Sequence, residues 1–167
     1  TVRLAAHDDA ATGADVVVNA TNGGGALAAL QQAGAANLAG KVVVDIANPL
    51  DFSHGFPPTL SVVDTDSLGE QLQRAFPEAR VVKALNTMTA DVMVHPYLLP
   101  EPTSVFLCGN DESAKAVVTE LLESFGHTDV IDLGDISTAR GAEMYLPLWL
   151  RLMGSLGTPT FNIRVVR

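Results

Sequence analysis

The chain has 167 residues, 47% of them apolar and only 17% charged, which excludes a disordered polymer and suits one compact domain with a sizeable core. A formal net charge of −9 excludes a general nucleic-acid surface, which needs clustered positive charge. A single cysteine, Cys108, excludes an internal disulfide, and no apolar run approaches the roughly 20 residues needed to span a bilayer. The opening residues Thr1-Val2-Arg3-Leu4 carry neither an initiator Met nor a signal-peptide pattern, so the expected setting is cytoplasmic.

In chain order, short β-branched runs alternate with helical stretches. Residues 2–5 read as a truncated strand. Fuller strands are expected at 16–20, 42–47, 81–85, 105–108 and 130–133. They are continuously apolar rather than alternating, as strands covered by helices on both faces are. Helices are expected at 25–36, 67–75 and 112–125. The last of these places Ala114, Val117, Val118, Leu121 and Leu122 on one face, with Asp111 as its N-cap. Residues 50–58, with His54, Gly55 and Pro57-Pro58, read as an irregular loop. Residues 137–156 read as one long apolar helix that Pro147 must kink or split, and residues 161–167 as a final extended segment. Strand–helix alternation with short links predicts a doubly wound, mostly parallel α/β sheet.

The stretch from Val16 through Asn19, Thr21, Asn22 and Gly23-Gly24-Gly25 to Ala28 matches strand, Gly-x-Gly-x-x-Ala and helix. Asp45 follows about 20 residues further on, the outline of a dinucleotide-binding fingerprint. Two details weigh against a complete fingerprint. Asn19 to Asn22 intervene between the last valine and the glycines, and Asp45 precedes the more natural strand end at Asn48-Pro49. A helix N-terminus pointing toward a ligand edge fits better. Three expected strands end in amides, hydroxyls or proline: Asn19-Ala20-Thr21-Asn22, Asn48-Pro49 and Asn86-Thr87. Each could simply punctuate a turn; together they favour a binding crevice, because ligands of open α/β sheets lie beyond the carboxyl ends of the strands.

Catalytic side chains are sparse. His7, His54, His95 and His127 have no metal-ligand spacing, no Gly-x-Ser-x-Gly elbow occurs, and Cys108 reads as a core thiol. Glu143, on the apolar helix, needs a cationic partner, which Arg140 or Arg151 could supply. The absence of an acid–base constellation is compatible with hydride transfer between two bound cofactors, whose rate can come mostly from positioning.

The segments Gly40-Lys41-Val42-Val43-Val44-Asp45-Ile46-Ala47-Asn48-Pro49-Leu50, Val82-Lys83-Ala84-Leu85-Asn86-Thr87, Cys108-Gly109-Asn110-Asp111, Ile131-Asp132-Leu133-Gly134-Asp135, Ala139-Arg140-Gly141-Ala142-Glu143 and Phe161-Asn162-Ile163 occur in order along the chain. In this set it resembles the NADPH-dependent reductases of the deazaflavin coenzyme F420. The resemblance implies a Rossmann-like fold, N-terminally incomplete here, with a C-terminal α/β extension: a single NADP-binding domain, residues 1–90 the remainder of the core and 91–167 the extension. Family members open with a strand, a phosphate loop, a helix and a second strand ending in Ser/Thr-Arg, and none of these precedes Thr1.

The resemblance also implies NADP along the strand ends, at Ala20, Thr21, Asn22, Asn48 and Pro49, with Asn86, Thr87 and Ala90 lining the nicotinamide pocket. Met144, Pro147, Phe161 and Asn162 would border the deazaflavin, coenzyme F420, as co-substrate. No catalytic side chain and no metal ligand are expected. The implied activity is NADP-dependent hydride transfer to a deazaflavin or related flavin. The alternative is a shortened, non-catalytic nucleotide-binding-like domain with an assembly or regulatory role. Imine or carbonyl reduction fits less well, since such relatives carry a larger helical domain. Expected partners are small-molecule cofactors, with no nucleic acid and no membrane, and a second copy joined through the apolar C-terminal helix.

Overall fold

The computed structural model describes residues 2–167. In chain order it contains α1 (His7–Thr12), β1 (Val16–Asn19), α2 (Gly23–Ala33), α3 (Ala35–Leu38), β2 (Val42–Asp45), β3 (Leu50–Asp51), β4 (Thr59–Leu60), α4 (Leu68–Ala75), β5 (Arg80–Ala84) and α5 (Ala90–Val94). After a 3-10 turn at Pro96–Leu98 come β6 (Ser104–Gly109), α6 (Glu112–Phe125) and β7 (Asp129–Asp132). A second 3-10 turn at Ile136–Thr138 leads into α7 (Ala139–Met144) and α8 (Leu146–Leu156).

Five strands form one sheet in the order β1-β2-β5-β6-β7. β1, β2 and β5 are parallel, aligning Val16 with Val42 and Val42 with Arg80; β6 runs antiparallel to β5, and β7 parallel to β6. This is the mostly parallel, Rossmann-like sheet expected. The reversed strand β6 is a feature that a continuous apolar run cannot encode. Its reversal places Ser104 beyond the register pair Ala84–Leu107, at the same sheet edge as the carboxyl ends of β1, β2 and β5.

Alternate residues of the central strands feed two separate cores, as the two-residue side-chain period of a strand requires. Val43, Val81 and Cys108 pack with Ala26, Leu30, Leu38, Leu68, Leu72, Ile136 and Ala139 on one face. Val42, Val44, Val82, Ala84, Val105 and Leu107 pack with Val92, Ala114, Val118 and Leu122 on the other. The helix caps follow from sequence. Asp111 accepts from the Ala114 N–H at 2.8 Å to start α6, Gly126 in the left-handed region ends it, and Ser67 accepts from the Glu70 N–H to start α4.

Several expectations are corrected. Residues 2–5 form no strand, and the unforeseen α1 follows them. The loop at 50–58 is closed at its ends by the small β3–β4 ladder, Leu50 opposite Leu60. The expected helix 25–36 begins earlier, at Gly23, and is broken at Gly34 before α3. The helix expected over 137–156 is split, as Pro147 within it implies; the break falls at Tyr145, with Pro147 in the first turn of α8, where a missing N–H costs nothing, and 137–138 belong to the preceding 3-10 turn. Residues 161–167, expected as a final extended segment, pair in no ladder. They are nevertheless tied to the start of β6, where the Ser104 N–H donates to Ile163 at 3.0 Å and the Val165 N–H to the Ser104 hydroxyl at 2.8 Å. Along the outer edge of β1 an apolar groove of about 260 Å³ runs between α1 and α2, lined by Ala10, Ala11, Ala14, Val17, Leu30 and Ala33 among others.

Cys108 is in the core as expected, 1% exposed, and burial pushes its thiol up to about 11, with the Thr138 hydrogen bond acting in the opposite sense. At pH 8 only about one thiol in a thousand is then ionised. The native protein is expected to leave a thiol reagent unreacted over an hour at pH 8 and to react stoichiometrically in guanidinium. Rapid labelling of the native state would contradict this burial.

Candidate functional site: a crevice over a buried ion triad

β1 and β2 end side by side, Asn19 opposite Asp45, and the chain leaving them forms the two walls of a crevice. Ala20, Thr21, Asn22 and Gly23 line one wall; Ile46, Ala47, Asn48, Leu50 and Phe52 line the other, around about 320 Å³. None of these lining residues is charged. Asn22 caps α2 by accepting from the Gly24 N–H at 3.0 Å, so the glycines lie in the first helical turn instead of forming a loop ahead of it. Gly23 is required for packing: a Cβ there would stand 2.0 Å from the carbonyl oxygen of Asn48. Its bare backbone lets α2 seat directly on the opposite wall.

Under the crevice lies a fully buried ion triad. Lys83 Nζ is 2.8 Å from Asp45 Oδ2 and 2.8 Å from Glu143 Oε1, and the three side chains are at most 1% exposed. The ammonium's third donor goes to the carbonyl of Ala47. Asp45 Oδ1 accepts from Asn19 Nδ2 at 2.8 Å and from the Ala47 N–H at 3.2 Å. Glu143 accepts from the Leu68 and Gly69 N–H groups at 2.8 and 3.0 Å, so a carboxylate on α7 caps α4. Burial works against the Lys83 charge, but Asp45 and then Glu143 outweigh it and hold the lysine above its ordinary value. Lys83 thus stays an ammonium between two carboxyl groups, and the α4 N-terminus turns its partial positive charge toward Glu143.

This geometry removes the complete-fingerprint reading. Asp45 faces inward to Lys83 and Asn19 and has no exposed oxygen to offer a ribose. Glu143 finds its cation in Lys83, across the sheet edge, and in neither Arg140 nor Arg151. Arg140 instead makes a two-pronged contact with Glu70 on α4, at 2.9 and 2.6 Å.

The expected site residues divide into groups. Ala20, Thr21, Asn22 and Asn48 line the crevice together. The Thr21 hydroxyl donates to Asn19 Oδ1 at 2.7 Å, which connects it to Asp45. Pro49 is buried, its carbonyl accepting from the N–H and hydroxyl of Ser61. Asn86 locks against Asn48: its Nδ2 donates to Asn48 Oδ1 at 3.0 Å and to the carbonyl of Ala142, and Asn48 Nδ2 returns a bond to its carbonyl at 2.9 Å. Thr87 is buried beside it, with its hydroxyl unpartnered, and Ala90 opens α5 at the surface.

Met144 and Pro147 are exposed where α7 passes into α8, one and four residues beyond the Glu143 anchor. Phe161 stacks on Trp149 with ring centroids 5.3 Å apart. The Asn162 amide donates to the Thr103 hydroxyl and the Ser104 carbonyl, fastening the tail to β6. Sequence reasoning passed over Asn19, Ala47 and Lys83 as a connected unit. The visible signal was a lysine inside the otherwise apolar run Val81-Val82-Lys83-Ala84-Leu85. Among the described residues no cluster of His, Cys, Asp and Glu could hold a metal ion.

With this geometry in place, similarity to known proteins identifies the family. No protein-family model matches the chain. It is 34% identical over 116 residues to the F420-dependent NADP reductase of Methanocaldococcus jannaschii, covering 69% of this chain and 52% of that protein. A crystal structure of a candidate F420-dependent NADP-reductase from Arthrobacter sp. FB24 superposes with a TM-score of 0.96 at 65% identity, over 98% of this chain and 74% of that one. The chain belongs to the F420-dependent NADP reductase family. It spans about half the length of the archaeal reductase, and it is also 33% identical over 124 residues to rat metalloreductase STEAP3, of which it covers 23%.

Within this family member, α4 and α7 are tied twice, by Glu143 at the N–H groups of α4 and by Arg140 to Glu70. The Arg140 guanidinium holds the Glu70 carboxyl below its ordinary 4.5, against burial and with help from Ser67. A depressed carboxyl stabilises the fold above its unfolded value, and that contribution disappears as pH falls through its folded value. Thermal unfolding followed from pH 6 to pH 3 is therefore expected to lose midpoint below about pH 4.5 in the wild type, and to lose less in Glu70→Gln. Equal slopes would remove the α4–α7 contact as a source of acid sensitivity.

Proposed function

We propose that the crevice at the carboxyl ends of β1 and β2 receives the nicotinamide half of NADP, and that the whole protein transfers hydride between NADP and the deazaflavin coenzyme F420. The observation that carries this reading is the crevice itself, walled by Ala20, Thr21, Asn22, Ala47 and Asn48, in a chain 65% identical to a candidate reductase of that kind. The lining fits an uncharged ring and its ribose. Small side chains leave room for a flat face, and amides and a hydroxyl offer donors and acceptors at the rim. It holds no Lys or Arg for the pyrophosphate or 2′-phosphate, so those charges find their partners outside this lining. The buried, unpartnered Thr87 hydroxyl is a further donor behind Asn86.

When bound, the nicotinamide supplies or receives the hydride. What this chain's own residues do is positional. Asn22 and the first turn of α2 set one wall, the Asn48–Asn86 lock sets the other, and α7 brings Met144 to the same side through Ala142 and Glu143. No proton needs to be moved by a side chain at the reacting carbons, consistent with a crevice lined without acids or bases.

Residues 1–90 then serve as the nucleotide half and 91–167 as the extension bordering the deazaflavin, with Met144, Pro147, Phe161 and Asn162 on that side. A cytoplasmic setting is part of the reading: among the described residues no helix is long and apolar enough to cross a membrane, and the single free thiol suits a reducing compartment. The test is spectrophotometric, with NADPH oxidation followed in the presence of coenzyme F420 and separately of ordinary flavins. Turnover with F420 is expected, and Asn48→Ala should lower it by about tenfold or more through lost alignment. Absence of turnover with every acceptor would overturn the hydride-transfer reading.

We also propose that α8 joins two copies. It buries Leu146 and Leu150 against its own chain but leaves Leu148 and Leu156 each 56% exposed. Sedimentation is expected to give twice the 17.5 kDa chain mass at micromolar concentration, and Leu148→Lys to give the single mass. A monomeric wild type would overturn this.

A further inference from the structure

The buried triad lies behind the crevice walls without entering them. Lys83 and Asp45 hydrogen-bond directly to the chain that forms those walls, and Glu143, while capping α4, reaches them through its neighbour Ala142. Lys83 donates to the carbonyl of Ala47, a lining residue and the neighbour of Asn48. Asp45 accepts from the Ala47 N–H and from Asn19, which in turn holds the Thr21 hydroxyl. Glu143 brings Ala142 to the place where its carbonyl receives Asn86, and Asn86 grips Asn48. Three segments meet at a single ammonium, the tips of β2 and β5 and α7, and Asp45 adds the tip of β1 through Asn19. Every donor of Lys83 and every carboxylate of the triad has partners, so the network defines one arrangement of the strand tips.

We infer that Lys83 is a positioning residue for nucleotide binding: through Asp45, Ala47 and Glu143 it sets the spacing of the Thr21 and Asn48 walls of the crevice. The inference rests on the reading of this crevice as the nicotinamide site. Purely structural burial would be satisfied equally well by apolar side chains of similar volume, since replacing a buried ion pair in that way is often neutral for stability. The positional role is not, because methionine cannot donate to the Ala47 carbonyl.

The test uses the full chain and the pair variant Lys83→Met/Asp45→Asn. It removes one positive and one negative charge, so the charge of the cluster is unchanged, and the remaining Glu143 keeps its two N–H donors on α4. Two readouts are taken with thermal unfolding as the control for folding. The first, independent of any nucleotide, is hydrogen exchange at the Ala47 N–H, which Asp45 holds, together with the Thr21 methyl and the side-chain amide resonances of Asn19 and Asn86. The second is NADP affinity by calorimetry. The pair variant is expected to unfold cooperatively, to show shifted Thr21, Asn19 and Asn86 side-chain signals, to exchange at Ala47 about tenfold faster or more, and to bind NADP about tenfold more weakly or worse. The control variant Lys115→Met, whose buried lysine pairs with Asp132 on β7 and Glu112 on α6 and takes no part in the crevice network, is expected to change neither.

Should the pair variant fail to fold, Asn19→Ala serves in its place. It cuts two bonds, from Asn19 to Asp45 and from the Thr21 hydroxyl to Asn19, and is expected to shift the Thr21 methyl signal while leaving the Asn86 signal in place. A folded variant whose exchange and side-chain signals match the wild type overturns the inference. A wild type that binds no NADP overturns the crevice reading instead, and the first readout still decides the role of Lys83.

Discussion

One buried ammonium holds the carboxyl edge of this sheet together. Lys83 carries its charge into a region where a lone cation would cost many kilocalories per mole, and it does so because two carboxylates and a carbonyl meet it there. Removing one partner of such a cluster costs about 3–5 kcal/mol, since the charge left behind has no solvent to turn to. The three charged residues come from β2, β5 and α7. The two additional N–H groups that complete Glu143 come from α4. The parallel sheet and the C-terminal helices are therefore not merely packed together. They share charges, and α7 cannot drift from the strand tips without exposing an unpaired carboxylate.

The crevice inherits its shape from that constraint. Its polar residues are short, and much of their hydrogen-bonding capacity is spent on one another: Thr21 on Asn19, Asn19 on Asp45, Asn48 and Asn86 reciprocally. Walls built this way are preorganised before a ligand arrives, so binding does not have to order them first. For a hydride transfer, where most of the rate comes from holding two carbons in line, a rigid uncharged crevice on a rigid ionic floor is a coherent arrangement.

Much of the fold could be read from residues alone, for reasons that also explain the failures. The valine runs at 42–44 and 81–82 are covered strands as their composition implies, whereas the run at 16–18 is an edge strand with Val18 52% exposed, and the 112–125 helix announces both its cap and its apolar face. Strand direction is different. Val105-Phe106-Leu107-Cys108 is as apolar as its neighbours, and its reversal is set by how the chain returns after α5, which no local pattern records. Val2 to Leu4 had the apolar character of a strand but pairs with nothing among the described residues, while His7–Thr12 is too short and polar for helical periodicity to register. At the site, the strand-end amides were visible because they interrupt apolar runs. The triad was invisible as a unit because its members lie far apart in sequence. Asp45 looked like a ribose-binding acid set short of its strand end, Glu143 looked like a partner for nearby arginines, and only Lys83 was out of place in its own run.

The glycines after β1 illustrate how a motif can be right about location and wrong about mechanism. Gly-x-Gly-x-x-Ala after a strand suggests backbone N–H groups bared for a pyrophosphate, with a downstream acid for the ribose. In the folded chain Asn22 already takes the Gly24 N–H, and Asp45 is sealed beneath the floor. Gly23 is glycine because the Asn48 carbonyl occupies the space its Cβ would need. The same close approach that a phosphate loop would use to reach a ligand is used here to bring the two crevice walls together. A bulkier residue at position 23 would push α2 away from Asn48 and open the crevice at its base. The Lys83 network would then hold only the β2 and β5 side of a pocket whose other wall had moved. Backbone contact above and buried charge below are thus two halves of one restraint on the distance between Thr21 and Asn48.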